Sequence, residues 1–380
     1  MKSKYYILTI VLILIFSAGT GHSTDMFIPA GASMHLNVAQ MGMGGLTTTI
    51  GTNAHTFFYN PALLNRQKFS LEIPSVGVGL DNDAIDVMNF INDHQDDFEN
   101  FEDLTPEEQD QFLEDSQAFD NKWVGVQAEP YIGFASNGLG VGAYSVTHAN
   151  VKIDQGVFVP AVGMRGFMDV VIGAGIGREI TIMGKTFEMG MTGRYVQRRS
   201  VSPIRVSAQD ANGVDDIVET ALDELEDTKS GFGVDVGMVR SMKLGLMGKG
   251  LDLDYAVVVQ DLIGSLDGYI KPNVKIGAMI HMPFTNLVMI PRWDVGIEID
   301  DFFNRQGVNF FQRINIGTEV SLLSGFLKAR GGFHQGYPTI GAGLSLLVIH
   351  LDYAFFTREL GSKPGQFSEG THRAQLSFGI

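Results

Sequence analysis

Thr371-His372-Arg373-Ala374-Gln375-Leu376-Ser377-Phe378-Gly379-Ile380, the last ten residues of the sequence, alternate strictly. Ala374, Leu376, Phe378 and Ile380 share one face, and Arg373, Gln375, Ser377 and Gly379 share the other. A period of two is the signature of a β-strand. A strand apolar on its outer side and polar on its inner side is what closes a transmembrane barrel.

The pattern recurs upstream as far as about residue 69. Phe232, Val234, Val236 and Met238 oppose Gly233, Asp235 and Gly237. Leu251, Leu253, Tyr255, Val257 and Val259 oppose Asp252, Asp254 and Ala256, and Trp293, Val295, Ile297 and Ile299 oppose Asp294, Gly296, Glu298 and Asp300. Ile314, Ile316 and Val320 oppose Arg313, Asn315 and Glu319. In these runs carboxylates occur only on the less apolar face, which in a membrane barrel is the lumen. A charge facing lipid at the midplane would cost about 2–4 kcal/mol.

Strand candidates are 69–80, 123–136, 139–149, 166–182, 185–199, 232–242, 251–262, 273–282, 288–300, 310–323, 326–334, 339–346, 349–359 and 372–380, fourteen in all. Asn137-Gly138 is a strong hairpin signal. Loop length checks the count. With the N-terminus in the periplasm, the connections at 137–138, 183–184, 243–250, 283–286, 324–325 and 347–348 fall inside. The connections at 81–121, 150–165, 200–231, 263–272, 301–309 and 360–371 fall outside. Only 335–338 is short on the outer side. Short inside and long outside is the outer-membrane arrangement. The expected fold is therefore all-β: a transmembrane antiparallel up-and-down barrel of about 14 strands. The alternative that also alternates is a periplasmic β-sandwich.

Composition agrees. Charged residues make up 18% of the 380, below the usual level of about 25%. There are 46 glycines, 26 phenylalanines and no cysteine, so disulfides, thiolate metal sites and a lipoprotein anchor are excluded. A net charge of −16 argues against nucleic acid as a partner. Lys2 and Lys4, the aliphatic run 7–16 and the small residues 17–23 read as a signal peptide, residues 1–23, cleaved near Ser23. That apolar run falls short of the ~20 residues a spanning helix needs, and no later segment reaches 18, which leaves a barrel as the membrane-crossing form.

Residues 24–68 do not read as wall. They hold Met41-Gly42-Met43-Gly44-Gly45, then Thr47-Thr48-Thr49, then Phe57-Phe58-Tyr59-Asn60-Pro61-Ala62. Asn60 and Pro61 predict a capped short helix. Residues 81–121 are acidic with apolar residues near helical spacing (Ile85, Met88, Ile91, Phe98, Phe101, Phe112, Leu113), and Thr105-Pro106-Glu107-Glu108 predicts a helix start. A second acidic helical insert is expected over about 207–229. Either insert meets a ligand or partner, or lays its apolar side on the barrel rim.

Gly42-Met43-Gly44-Gly45, a spacer, and Phe58-Tyr59-Asn60-Pro61-Ala62 ahead of the first strand resemble the FadL-like outer-membrane family. That resemblance implies an N-terminal hatch, residues 24–68, inside a fourteen-stranded barrel, residues 69–380. It also implies passive uptake of long-chain fatty acids or other hydrophobic small molecules. Gating would then fall to Asn60, Pro61, Ala62, Gly42, Gly44 and Gly45. Val258-Val259-Gln260-Asp261-Leu262 and Leu351-Asp352-Tyr353-Ala354-Phe355 resemble the PorV/PorQ branch, which is associated with secretion, and the inserts are similar to conjugal-transfer TraF-like barrels. PorV-like proteins tend to carry Asn at the position of Asp261. The alternative function is therefore a structural or secretion-associated barrel that binds a protein partner at its acidic loops. Both readings imply outer-membrane lipid around the barrel and insertion by the barrel assembly machinery.

No catalytic constellation stands out. The histidines are scattered without HxxxH or HExxH spacing, and no GxSxG occurs. Gly173-Ala174-Gly175-Ile176-Gly177 lies in a strand pattern rather than before a helix. The expectation is a non-enzyme with no metal or cofactor. Lumenal Asp252, Asp254, Asp294 and Glu298 are expected to satisfy cations such as Lys275, Arg313 and Arg330. No ligand-binding residue can be named from the sequence.

Overall fold

The structure, a computed structural model, describes residues 37–51, 53–94, 96–97, 100–120, 122–155, 160–207, 228–246, 249–264, 272–283, 292–305, 307–359, 363–365 and 368–380. The expected signal segment, residues 1–23, lies outside these residues, as does the acidic run 214–227. The wall consists of β1 Ser70–Asp81, β2 Trp123–Ser136, β3 Leu139–Asp154, β4 Ala161–Ile182 and β5 Lys185–Ser207. It continues with β6 Thr228–Leu246, β7 Lys249–Gly264, β8 Asn273–Pro283, β9 Arg292–Ile299 and β10 Ile314–Leu322. β11 Leu327–His334, β12 Tyr337–Leu346, β13 Ile349–Glu359 and β14 Ser368–Gly379 complete it.

Every strand pairs antiparallel with its chain neighbour, and β1 pairs with β14 to close a fourteen-strand barrel. The seam runs Val76↔Leu376, Gly77↔Gln375, Val78↔Ala374. Closure excludes the sandwich and removes free edges from the body of the sheet, the condition for crossing lipid with strands. No helix among the described residues is long and apolar enough to cross a membrane.

The faces sort as the alternation requires. On β14, Leu376 and Phe378 are exposed while Arg373, Gln375 and Ser377 are buried; on β9, Trp293 and Ile297 are exposed while Asp294 and Glu298 are buried. A soluble protein does the reverse. The solvent of the outer surface is therefore lipid. Inside, charges pair: Arg194 with Asp235 at 2.8 Å and Asp261 at 2.6 Å, Arg330 with Glu319 at 2.7 Å and Asp352 at 2.6 Å, and Arg373 with Glu129. Of the carboxylates expected to satisfy lumenal cations, Asp254 meets Arg66 at 2.5 Å and Asp294 meets Arg292 at 2.8 Å, whereas the cations named for them bond elsewhere. Lys275 bonds Asp300 at 3.0 Å, and Arg313 reaches the backbone carbonyls of Asp301 and Phe302. Asp254 and Glu298 serve another purpose, described below.

Strand ends moved most. β3 to β6 run further toward the outer rim (the rim opposite the start of β1) than the sequence indicated. β4 and β5 are 22 and 23 residues, against 8 and 9 for β9 and β10. Residues 310–313 form a short helix rather than strand. The part of the eighth-to-ninth connection expected at 284–286 is outside the described residues. The turns Asn137-Gly138, Met183-Gly184 and Gln335-Gly336 hold both residues at positive φ, the hairpin geometry that matches strand twist.

The first insert forms α2 Ala84–Asp93 and α3 Pro106–Ser116, helices that follow α1, Val38–Gly42, in the chain. Thr105 and Glu108 make the reciprocal cap at the start of α3. Ala84 and Val87 pack on Val124 and Ile153, and Phe101 and Phe112 form a second cluster against Val162. The buried side of α2 is Ala84 and Val87, whereas Ile85 faces out. The insert thus lays its apolar side on the outer ends of β2 to β4.

Candidate functional site: a segment seated in the barrel lumen

Residues 37–51 and 53–68 lie inside the barrel, with three short helical pieces among them. These are α1, Val38–Gly42, and two 3-10 turns, Ala54–Phe58 and Pro61–Arg66. Glycines and the threonine run keep the pieces short. Asn37 caps the first, its Oδ1 accepting from Ala39 N at 2.7 Å; Asn60 caps the third, its Oδ1 accepting from Ala62 N at 3.0 Å, with Pro61 at the first helical position.

One half of the segment sits on an apolar seat. Phe57, Phe58 and Leu64 pack with Tyr131, Tyr144, Phe167 and Val171 of β2 to β4. Phe58 meets Tyr144 edge-to-face at 4.8 Å. Asn60 and Pro61 lie directly on β5 and β6. A Cβ at Gly237 would collide with Asn60 Oδ1, so only glycine admits the segment this close. The Tyr59 hydroxyl accepts from Asn37 N at 3.1 Å, and burial holds its phenol well above the usual range. Burial alone would lower the Arg66 pKa. Bonds to Asp254 at 2.5 Å and Glu188 at 2.6 Å outweigh that and raise it.

The other half sits on a more polar seat. Gly44 N donates to Thr339 Oγ1 at 3.1 Å, and that hydroxyl donates to Gly42 O at 3.2 Å. Val38 N donates to Gln375 Oε1 at 3.1 Å. Glu298, on β9, gathers the most bonds. Its carboxylate accepts from Thr47 N, Thr47 Oγ1 and Thr48 N, each at 2.8 Å, and from Thr48 Oγ1 at 2.9 Å. Smaller apolar contacts join this half to the wall: Val38 and Met41 on Ala354 and Phe356, and Met43 and Leu46 on Met279.

The six residues singled out from the sequence divide between the seats. Asn60, Pro61 and Ala62 lie on the apolar one. Gly42, Gly44 and Gly45 lie on the polar one, with Gly42 against Gly341 and Gly45 beside His334. Several bonds join the halves: Asn60 Nδ2 donates to Thr48 O at 2.6 Å, Asn37 N donates to the Tyr59 hydroxyl, Asn37 Nδ2 meets His55 Nε2 at 2.9 Å, and Gln67 Nε2 donates to Gly51 O at 3.3 Å. Thr48 in turn is held by Glu298. Sequence reasoning missed Glu298 as an anchor for the segment, and it missed Arg66. The run Thr47-Thr48-Thr49 was the available signal: consecutive hydroxyls in a segment with few other side-chain donors.

Toward the inner rim the segment bounds a cavity of about 1110 Å³. Gln40, Met43 and Ile50 line it from the segment, and Asp294, Arg330 and Asp352 from the wall. His281 bridges Asp294 at 2.8 Å and Asp254 at 3.2 Å on its border. Among the described residues no group of three or more His, Asp or Glu side chains is placed to hold a metal ion.

No protein-family model matches the sequence, and no curated protein matches it. Several solved structures share a distant likeness. The toluene transporter TodX of Pseudomonas putida is 11% identical with a TM-score of 0.44, over 90% of this chain and 97% of its own. The toluene transporter TbuX of Ralstonia pickettii is 11% identical with a TM-score of 0.41, over the same shares. CdiB of Acinetobacter baumannii is 10% identical with a TM-score of 0.34, over 83% of this chain, which spans only 60% of that protein.

Proposed function

We propose that this chain is a FadL-type outer-membrane barrel that takes up hydrophobic small molecules passively, long-chain fatty acids being one such class. Residues 24–68 serve as the hatch, and Gly42, Gly44, Gly45, Asn60, Pro61 and Ala62 control its opening. Residues 1–23 direct export and are removed, and the barrel assembly machinery inserts the mature chain.

The observation that carries this reading is the division of the lumenal segment between two seats. Burying an aromatic or aliphatic side chain contributes about 1.5–3 kcal/mol, so Phe57, Phe58 and Leu64 anchor their half. A neutral hydrogen bond contributes a net of only about 0.5–1.5 kcal/mol, because water replaces it. Bonds to Glu298 are stronger, and this carboxylate acts as the latch. Opening moves residues 37–51 off Glu298 and Thr339 while 54–66 stay in place. No nucleotide or metal is needed, since the solute's own gradient drives passage.

The test is uptake of labelled oleate by cells lacking their own fatty-acid channel, with folding confirmed by heat-modifiable gel migration. Uptake that Asn60→Ala alters while the barrel stays folded supports the hatch. A folded barrel that gives no uptake of oleate or toluene overturns the reading. It would favour a partner-binding barrel, for which the exposed carboxylates Glu107, Asp110, Glu114 and Asp115 on α3 offer the surface.

A further inference from the structure

The connection between β9 and β10 is built inside out. Two of its polar side chains, Asp301 and Gln312, are turned inward and its four aromatic ones outward, with Asn304, Arg305 and Asn309 exposed beside the rings. Asp301 is 3% exposed and Gln312 is 8% exposed. Phe302, Phe303, Phe310 and Phe311 are 44%, 63%, 52% and 66% exposed. The buried polar groups hold the shape. Asp301 Oδ1 accepts from Arg305 N at 2.9 Å, Asn273 Oδ1 accepts from Asp301 N at 3.0 Å, and Arg313 Nη1 donates to Asp301 O at 3.1 Å. Asn309 and Gln312 form a reciprocal cap for the short helix α4, Phe310–Arg313, which carries two of the rings. The rings meet edge-to-face in pairs, Phe302 with Phe303 at 5.3 Å and Phe310 with Phe311 at 6.2 Å. A loop in water would expose the amide and carboxylate and cover the rings.

The strands below this loop are short. β9 has eight residues. At about 3.3 Å per residue and a tilt near 40°, eight residues give roughly 20 Å of height. A lipid-facing band is about 25 Å tall. The outward row Trp293, Ile297 and, on β10, Ile316 is exposed and apolar, and the row continues through Ile299 and Ile314 to the two ends of the loop. Phe302 itself extends the sheet by one bond, its N donating to Val274 O at 2.8 Å.

We propose that Phe302, Phe303, Phe310 and Phe311 insert into the acyl region of the lipid leaflet at the outer rim, completing the apolar band where the wall is too short to span it. The occupant of this surface is lipid. The continuity of the rings with the lipid-facing row of β9 and β10 identifies it.

The chain has no cysteine, so single cysteines take a spin label cleanly. Phe303→Cys and Phe311→Cys are labelled in turn and reconstituted in phosphatidylcholine vesicles, with Met183→Cys, in a tight turn at the opposite rim, as the aqueous control. Collision with oxygen, which concentrates in lipid, is compared with collision with a water-soluble nickel chelate. The expected result is an oxygen-to-nickel ratio at 303 and 311 several-fold above that at 183. A ratio equal to the control places the loop in water and overturns the proposal. Labels shielded from both reagents place the rings against protein and overturn it equally. Phe303→Trp, which keeps an aromatic ring, gives a second reading: brominated acyl chains should quench its fluorescence beyond the quenching of the unsubstituted chain, and an unchanged level of quenching counts against insertion.

Discussion

The two sides of this barrel differ in height and in how they hold what lies between them. On one side β4 is 22 residues, about 70 Å of strand, and even when tilted it rises to roughly twice the lipid band. On the other side β9 to β11 are 8 or 9 residues and fall short of its full height. The tall side meets the lumenal segment with aromatic rings and carries the acidic insert on its outer end. The short side meets the segment mostly with hydrogen-bonding groups and ends in two-residue or loop connections. The proposed opening would part the segment from the short side and leave it on the tall one, and the division follows from which residues face inward.

The largest expected effect tests the anchored side. Phe58→Ala empties a fully buried aromatic site, a change that costs about 3–5 kcal/mol. It should loosen residues 54–66, measured by protease cleavage in the segment, and leave the closed barrel heat-modifiable. If it frees residues 37–51 just as much, the two seats are one unit and the comparison fails.

Glu298→Gln acts on the other side. The amide retains one acceptor oxygen for four donors and turns its own NH2 toward them, a loss of about 3 kcal/mol at charged hydrogen-bond strengths. Labelling of a cysteine placed at buried Leu46 should then rise sharply with a bulky maleimide, while one placed at buried Leu64 stays protected. Equal protection at both sites would show that Glu298 is no latch. Asn60→Ala is smaller. It removes a cap and the bond to Thr48 O, together about 1–2 kcal/mol, and should partly uncouple the halves, with Leu46 labelling between wild type and Glu298→Gln.

What was legible in the sequence is bounded by the lipid. The alternation that revealed β14, β9 and β7 exists because one face sits in acyl chains and the other does not. Above the band no such demand exists, and backbone pairing continues without it. This is why β5 runs to Ser207 although the pattern fades after Arg199, and why β4 begins at Ala161 across an irregularity at Met164 and Gly166. The pattern measures the membrane, and strand length is a separate quantity. Turns were legible where chemistry forces them, as at Asn137-Gly138. The caps Asn60 and Thr105 were legible because capping is local. Glu298 was not, because its four donors lie some 250 residues away in sequence and only closure of the barrel brings them to it. The α2 face was misjudged for a related reason: Ile85 is the more apolar residue, but the rim accepts Ala84 and Val87.

The smallest effect concerns the cover on the tall side. The Thr105 backbone N–H, and after it the Thr105 hydroxyl, hold the Glu108 carboxyl below its ordinary value of 4.5. A carboxylate depressed in the folded state stabilises above its unfolded pKa and loses that contribution as pH falls through the folded value. The start of α3 should therefore hold from neutral pH down to about 4.5 and fray below it, measured as a loss of amide protection, relative to the intrinsic exchange rate at each pH, over residues 107–109. Glu108→Gln, which removes the titrating group, should show no such step, with protection near that of the acidified wild type. Barrel closure should not respond in either protein, because α3 stands on the rim and contributes nothing to the seam between β1 and β14. A barrel that opened along with α3 would mean that the insert braces the tall wall as well as covering it.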